Sequence, residues 1–532
     1  MTTSLIATNI HSLADFVEQA LQQYADKPAY HCLGQTLTFG QIDQKSRALA
    51  CYLQQKTNLK SGDIIAIQLP NLIQYPIAVY AALRMGLIIV NTNPLYTPRE
   101  MLHQLKNSGA KAIIILPELL AKLDAIKSET DIETVIVTSP TGLISGVVDE
   151  AGNDNDNDNG DNISFNQAIA LGHPLTLAPR DALGLDAACV LQYTGGTTGP
   201  SKGAILTHGS ILSNCAQTLE RISDQCRLTK EILVCPLPVY HIYAFSVSLL
   251  TNFSRGNLSI LIPNPSDIDG FIKAIQPFKF TCFAAINTLL VALCQKPAFK
   301  ALDFSALHFT LAGGAALTSA AGDAWLDITG CSVSEGYGLS EASPIVCLNH
   351  PGQEQLGTVG TPLLETEIQL SVDGKPVADG EEGEILVKGP QIMAGYWQLP
   401  AETALSMTAD GFFKTGDIGI RLPDGHIKIV DRLKDMIIVS GFNVYPNEVE
   451  SVLVTHRKVV EAAVIGEPDE RTGEAVSCFI TVNGPVDEQD IIAHCRDSLT
   501  GYKVPKKVTV LEALPKSTVG KILRKELRIK IS

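Results

Sequence analysis

The sequence predicts a multidomain α/β protein. A large N-terminal body of two layered α/β subdomains carries a small antiparallel β subdomain, and a smaller α+β domain follows it. Three observations lead there. At 532 residues the chain is several times longer than a domain of roughly 100–200 residues. Short β-branched runs alternate with longer helical patterns up to the region of residue 360, as parallel sheets covered by helices on both faces require. That pattern changes twice, after Pro362 and again after Asp431–Asp435 (DRLKD).

Element by element, Asp63–Leu69 (DIIAIQL) is a buried strand and Tyr75–Met85 a helix stopped by Gly86. Leu87–Val90 is strand again, and Pro98–Asn107 is helix. The runs Ala112–Leu116, Thr134–Thr138, Ala187–Tyr193, Leu258–Pro263 and Leu307–Leu311 repeat the buried-strand signature. Past Pro362, Glu365–Leu370, Gly383–Lys388 and Gly425–Val430 are strand-like pieces joined by Gly/Asp-rich turns, with no long helix between them. They predict an antiparallel subdomain over about 362–430. Beyond DRLKD come a helix (Pro446–Thr455), strands (Ala462–Ile465 and Val476–Val482), a helix (Glu488–Leu499) and a basic tail. Residues 1–430 are therefore read as the large domain, 431–435 as a linker and 436–532 as a compact small domain.

Composition narrows the function classes. Lys plus Arg number 41 against 56 Asp plus Glu, a net charge of −15, which argues against the clustered cations of nucleic-acid binding. Hydrophobic residues are 45% and charged residues 18%, a mix that fills large cores and is unlike a disordered chain. The start MTTSLIATNIHSLADFVEQA lacks the basic and apolar regions of a secretory signal. No apolar run reaches the ~18–20 residues of a membrane-spanning helix. The 12 cysteines are scattered without a CxxC pair, so neither a zinc site nor a disulfide framework is expected. A soluble, reduced, cytoplasmic protein fits these features. The tract Asn153–Asn162 (NDNDNDNGDN) resembles a calcium loop, but its register fails. With Gly160 at the sixth position, Asn166 falls where a bidentate Glu is wanted. A solvated surface loop is expected.

The strongest local signal is Tyr193–Gly203 (YTGGTTGPSKG), after a strand and before a helix beginning near Thr207. Its glycines let backbone approach an anion, Thr194, Thr197 and Thr198 offer hydroxyls and N–H donors, and Lys202 supplies charge. That suits a polyphosphate cradle. It is not a Walker A loop, because Lys202 precedes Gly203 rather than Ser or Thr. Further motifs follow at long intervals: PVYHIYAF (Pro238–Phe245), LAGGAAL (Leu311–Leu317), EGYGLSE (Glu335–Glu341), TGD (Thr415–Asp417), DRLKD, SGFNVYP (Ser440–Pro446) and PKSTVGK (Pro515–Lys521). Each alone is weak.

In this order they resemble the adenylate-forming superfamily of acyl-CoA synthetases, adenylation domains and luciferases, over nearly the whole chain. NLIQYP (Asn71–Pro76), NTNPLYTPRE (Asn91–Glu100), QYTGGTTG (Gln192–Gly199), VSGFNVYPNEVE (Val439–Glu450), LTGYKVPK (Leu499–Lys506) and LPKSTVGKILRKELR (Leu514–Arg528) make the resemblance closest to bacterial long-chain fatty-acid–CoA ligases. Ser201 departs from the pattern, standing where a proline is common.

The resemblance implies two steps. A carboxylate first joins the α-phosphate of ATP, releasing pyrophosphate, and coenzyme A then takes the acyl group as a thioester, releasing AMP. It further implies that Thr194, Gly195, Gly196, Thr197, Thr198, Gly199 and Lys202 hold the β- and γ-phosphates. Ser340 would touch the α-phosphate and Glu341 would hold Mg²⁺. Gly313, Gly314, Ala315 and Ala316 would wall the adenine beside Gly336, Tyr337 and Gly338, with Tyr337 stacking. Asp417 and Arg432 would hold the ribose, and Lys521 would bridge carboxylate and α-phosphate. The small domain would then rotate about Lys434, bringing Gly441 and Phe442 to a pantetheine tunnel. His241 and Phe245 would lie at the acyl site. Adenylation of another carboxylic acid, or loading of a carrier protein, stays open as an alternative. A greasy substrate would also suit peripheral work on the inner face of a membrane, although no amphipathic anchor stands out.

Overall fold

The computed structural model describes residues 9–143, 162–194, 200–469, 471–517 and 520–529. Asn153–Asp161 of the Asn/Asp-rich tract lie outside the described residues.

The apolar runs form two large sheets. One has eight strands in the order Gly395–Tyr396, Lys202–Thr207, Ala188–Thr194, Ile88–Asn91, Ile64–Gln68, Ala112–Ile115, Thr134–Val137 and Asn162–Ser164. From Ala188–Thr194 onward its strands are parallel. Every residue of Ile64–Gln68, Ile88–Asn91 and Ala112–Ile115 is buried, as expected of strands covered on both faces. The other sheet has nine strands, and its central run Val333–Gly338, Phe309–Ala312, Cys282–Ala285, Ile232–Cys235 and Leu258–Leu261 is parallel. The helix Gln74–Met85 is buried along its whole length, as a mostly apolar helix is, with its one charged residue, Arg84, paired to Glu18 and Asp43. It ends where expected, at Gly86 with φ 68°. Pro98–Ser108 begins with a capping box between Thr97 and Glu100 and ends at Gly109 with φ 70°, local chemistry that fixes both helix ends.

The region past Pro362 is antiparallel: Lys375–Pro376, Glu367–Val372, Glu382–Lys388, Phe413–Arg421 and Ile427–Arg432 form one sheet. Two short strands, one just before that segment and one within it, pair elsewhere. Thr361–Pro362 pairs with Ile345–Leu348 in the nine-stranded sheet, and Gly395–Tyr396 pairs with Lys202–Thr207 in the eight-stranded one. The helix expected near Thr207 is His208–Arg221, capped by Thr207. A strand precedes it: Lys202 opens Lys202–Thr207, antiparallel to Ala188–Thr194.

The last segment builds its own sheet. Phe442–Val444, Ile437–Val439, Gly473–Val482 and Val459–Asp469 are antiparallel neighbours, with Lys507–Val510 parallel to Gly473–Val482. The helices Pro446–Leu453 and Glu488–Ser498 pack Val449, Leu453, Ile491 and Ile492 against Val464, Val476 and Ile480 in a separate core. Among the described residues no helix is long and apolar enough to cross a membrane.

Candidate active site

The parallel strands of the nine-stranded sheet end at one edge, where ligands of open α/β sheets bind. Cys282–Ala285, Phe309–Ala312 and Val333–Gly338 run in register and deliver Gly313–Leu317 and Gly336–Glu341 side by side. A pocket there is lined by His241, Tyr243, Gly313, Gly314, Tyr337 and Gly338, among others. Small residues are needed for this closeness. A Cβ on Gly338 would stand 2.2 Å from the Pro344 carbonyl oxygen, and one on Gly313 would stand 3.3 Å from that of Gly336. Gly314 has φ +85°, which favours glycine. Ala315 and Ala316, which follow in the same turn, are exposed and do not line the pocket.

Sequence reasoning missed what holds this wall. Buried Glu335 accepts the Leu317 N–H and the Gly357 N–H, each at 3.2 Å, and Asn287 Oδ1 accepts the Thr318 N–H at 3.0 Å.

The ribose-side candidates meet through the antiparallel sheet, in which Asp417 and Arg432 are register partners. Arg432 Nε lies 3.0 Å from Asp417 Oδ1, and the Tyr337 O–H donates to Asp417 Oδ2 at 2.6 Å. Burial, and then the Asp417 charge, push the Tyr337 phenol well above its ordinary value, so it stays a donor. Tyr337 is thus tied to Asp417 at its hydroxyl while its ring lines the pocket.

On the phosphate side, Gly195, Gly196, Thr197, Thr198 and Gly199 lie outside the described residues. The flanks are clear. Thr194 and Lys202 are partners across the hairpin. Lys202 Nζ lies 2.5 Å from Glu402 Oε2 and 5.3 Å from the centre of the Tyr396 ring. Ser340 and Glu341 lie in the short turn Ser340–Ala342. Glu341 Oε1 accepts the Tyr396 O–H at 2.9 Å. Burial raises the Glu341 carboxyl above its ordinary range, opposed by the hydrogen bond from Tyr396 and the charge of Arg432. Among the described residues Glu341 makes no ion pair. A carboxylate with no directly bonded cation among the described residues suits a hard divalent ion such as Mg²⁺. Tyr396 and Glu402 were not legible in the sequence; the two-residue strand Gly395–Tyr396 brings them in.

At the acyl end, His241 caps the short helix Ile242–Ala244, its Nδ1 accepting the Tyr243 N–H at 3.3 Å. Burial, aided by the Lys521 charge, pushes its imidazole down to about 4. The ring is therefore neutral at pH 7, with its proton on Nε2. Phe245 is fully buried and opens the π-helical stretch Phe245–Asn252, a distortion frequent at functional sites.

Lys521 comes to this edge from the small domain. Burial first, then Arg432, Lys434 and Arg524, lower its ammonium to about 8, with Asp417 opposing. Its electrostatic neighbours thus include both the ribose pair and His241. The preceding Gly520, at φ +71°, packs so closely that a Cβ there would meet Ile286 Cδ1 at 2.5 Å and Thr288 Oγ1 at 2.7 Å. Lys434 is exposed in the short turn Leu433–Asp435. Gly441, at φ +84°, and Phe442 are also exposed, with Phe442 stacked on Tyr502 at 4.8 Å. Neither belongs to the pocket lining.

A second cluster lies elsewhere. Donor atoms of Glu231, Cys282 and His308 fall within 4.8 Å of one another. Arg227 already occupies it, its Nε on Glu231 Oε1 at 2.5 Å and its terminal nitrogen 2.9 Å from His308 Nε2. Burial alone would raise Glu231; hydrogen bonds from His308, Arg227 and Thr281 instead bring it down to about 2. This is a satisfied ion-pair network.

Comparison with known proteins agrees with the geometry. The AMP-binding enzyme family pattern matches residues 16–397 and the AMP-binding enzyme C-terminal domain matches 448–521. The long-chain-fatty-acid–CoA ligase of Salmonella typhimurium is 43% identical over 97% of this chain and 94% of that protein. That of Bacillus subtilis is 35% identical over 97% and 94%. The ATP-bound MatB of Rhodopseudomonas palustris superposes with a TM-score of 0.85 at 26% identity, covering 98% of this chain and 99% of that one. The O-succinylbenzoate coenzyme A synthetase of Bacillus subtilis, solved with ATP and a magnesium ion, gives 0.79 at 26% identity, covering 96% and 99%. The chain belongs to the AMP-binding enzyme family.

Proposed function

We propose that this enzyme is an ATP-dependent fatty acyl-CoA ligase acting on medium- to long-chain acids. One observation supports the reading: Gly520 packs on Ile286 and Thr288 of the large domain, so the next residue, Lys521, reaches the edge that carries the ribose and acyl candidates, where its charge acts on His241 and is felt with Asp417 and Arg432. In the first step a carboxylate oxygen attacks the α-phosphorus and pyrophosphate leaves. An anion attacks an anion there, so charge neutralisation and in-line placement dominate. Lys521 bridges carboxylate and α-phosphate, Lys202 exchanges its Glu402 partner for the β- and γ-phosphates, and Ser340 contacts the α-phosphate. Asp417 and Arg432 take the ribose, while the wall Gly313–Ala316 and the Tyr337 ring take adenine. Neutral His241 faces the carboxylate through Nε2–H and Phe245 borders the acyl tunnel. Glu341 would hold Mg²⁺, which when bound would supply the remaining neutralisation of phosphate charge.

In the second step the coenzyme A sulfur attacks the acyl carbonyl and AMP leaves. The ammonium and the thiol cannot share the reacting centre. Residues 436–532 therefore rotate about the 431–435 segment at Lys434, bringing Gly441 and Phe442 from solvent to the pantetheine path. The long-chain preference is supported by the names of the relatives above.

The test is a saturated fatty-acid series with ATP and coenzyme A, following AMP and thioester. Thioester formation should be greatest for the medium and long chains. Adenylate without thioester would favour the carrier-loading alternative. In Lys521→Ala, ATP–pyrophosphate exchange should be lost while thioester formation from preformed acyl-AMP persists; equal loss of both would overturn the lysine assignment.

A further inference from the structure

We propose that Asn447 is a positioning residue for adenylation, pinning the small domain in the orientation that presents Lys521 to the nucleotide pocket. The inference rests on the two-orientation reading above. Asn447 lies in the first turn of the helix Pro446–Leu453. Its main-chain N–H donates to Asp431 Oδ2 at 2.7 Å. Its side-chain Nδ2 donates to the Val430 carbonyl at 3.1 Å, and its Oδ1 accepts from the Arg524 guanidinium at 2.8 Å. One short carboxamide therefore satisfies an acceptor on one side and a donor on the other, which neither a carboxylate nor an ammonium can do.

The placement of those partners gives the contact its meaning. Val430 and Asp431 lie in the strand Ile427–Arg432, ahead of Lys434, and that strand ends at the arginine seated on Asp417. Arg524 opens the helix Arg524–Ile529 just after Lys521. The carboxamide thus joins the ribose-side strand to the segment that carries the lysine. A second link crosses in the same direction, the Tyr445 O–H donating to Glu382 at 2.7 Å. Arg524 is also held inside the small domain by both oxygens of Glu450, at 2.8 and 2.9 Å. The tail helix therefore keeps its seat when Asn447 changes, and the bond from the side chain to Val430 is what is lost across the hinge. Rotation about Lys434 breaks the bonds to Val430 and Asp431, because the partners lie on opposite sides of it. Contacts made in one orientation only shift the population toward that orientation.

The test measures each half-reaction separately. In Asn447→Ala, ATP–pyrophosphate exchange should fall about tenfold, the effect of hydrogen bonds made in one of two states, while thioester formation from preformed acyl-AMP and coenzyme A is unchanged or faster. Asn447→Asp keeps the size and the acceptor but loses the donor to Val430, and should show the same split. Thermal unfolding of both variants verifies folding. Equal loss in both half-reactions, or no loss in exchange, overturns the proposal. Lys521→Ala run alongside tests the underlying reading: if it spares exchange, that reading fails whatever Asn447 does.

Discussion

Raising the pH should silence the first half-reaction while speeding the second. The group responsible is Lys521, which burial and the cations Arg432, Lys434 and Arg524 lower from 10.5 to about 8. Only the ammonium bridges two anions. Below pH 7 it is nearly fully charged; above pH 8 each further unit removes about tenfold of the active form. The sulfur nucleophile behaves oppositely, since an ordinary thiol titrates at roughly 8.5 and attacks as thiolate. The assay is ATP–pyrophosphate exchange at subsaturating ATP from pH 6 to 10, paired with thioester formation from preformed acyl-AMP over the same range. Exchange should show a basic limb near 8 where thioester formation rises. Linkage fixes a second sign. A lysine whose folded value lies below its unfolded one weakens the docked fold while charged, fully below about 8, and the penalty is relieved as the pH climbs toward 10.5. The shift corresponds to at most about 3 kcal/mol, lessened by the partial exposure of the side chain. Lys521→Met should therefore be more stable than the parent at pH 7, and that advantage should vanish by pH 10.5. An exchange profile flat to pH 9.5, or two half-reactions sharing one basic limb, would refute the reasoning.

Two further perturbations probe the site from other sides. Gly520→Ala combines a disfavoured φ of +71° with a Cβ pressed to 2.5 Å from Ile286 Cδ1 and 2.7 Å from Thr288 Oγ1, so the backbone is strained and two side-chain tips of the large domain must shift, which disfavours the docked orientation. Pyrophosphate exchange should fall by roughly 5- to 150-fold, the equivalent of roughly 1–3 kcal/mol of strain, with thioester formation from acyl-AMP retained, as single-turnover assays would show. Tyr337→Phe deletes the 2.6 Å hydrogen bond to Asp417. Losing a bond to a charged group costs about 1.5–3 kcal/mol. Calorimetric titration should show weaker ATP binding, because the carboxylate that receives the ribose has lost one of its two orienting partners.

The sequence by itself determined whatever is written in local order. Short continuous Ile/Val/Ala runs bounded by turn signals read as two-sided strands, and Ile64–Gln68, Ile88–Asn91 and Ala112–Ile115 are such strands. Gly86 and Thr97 mark helix ends because capping depends on one or two residues. The motif order named most of the residues now found together, Tyr337, Asp417, Arg432 and Lys521 among them. Tertiary structure decided what depends on pairing across distance. Gly395–Tyr396 is too short to show a period, yet it sets Tyr396 on Glu341 and, through the following helix, Glu402 on Lys202. Nothing local in Asn447 announces that it joins Val430 to Arg524, nor in Glu335 that it holds the turn at Leu317. Propensity and capping are properties of neighbours in the chain, whereas a hydrogen bond between distant residues exists only once the sheets have brought them together.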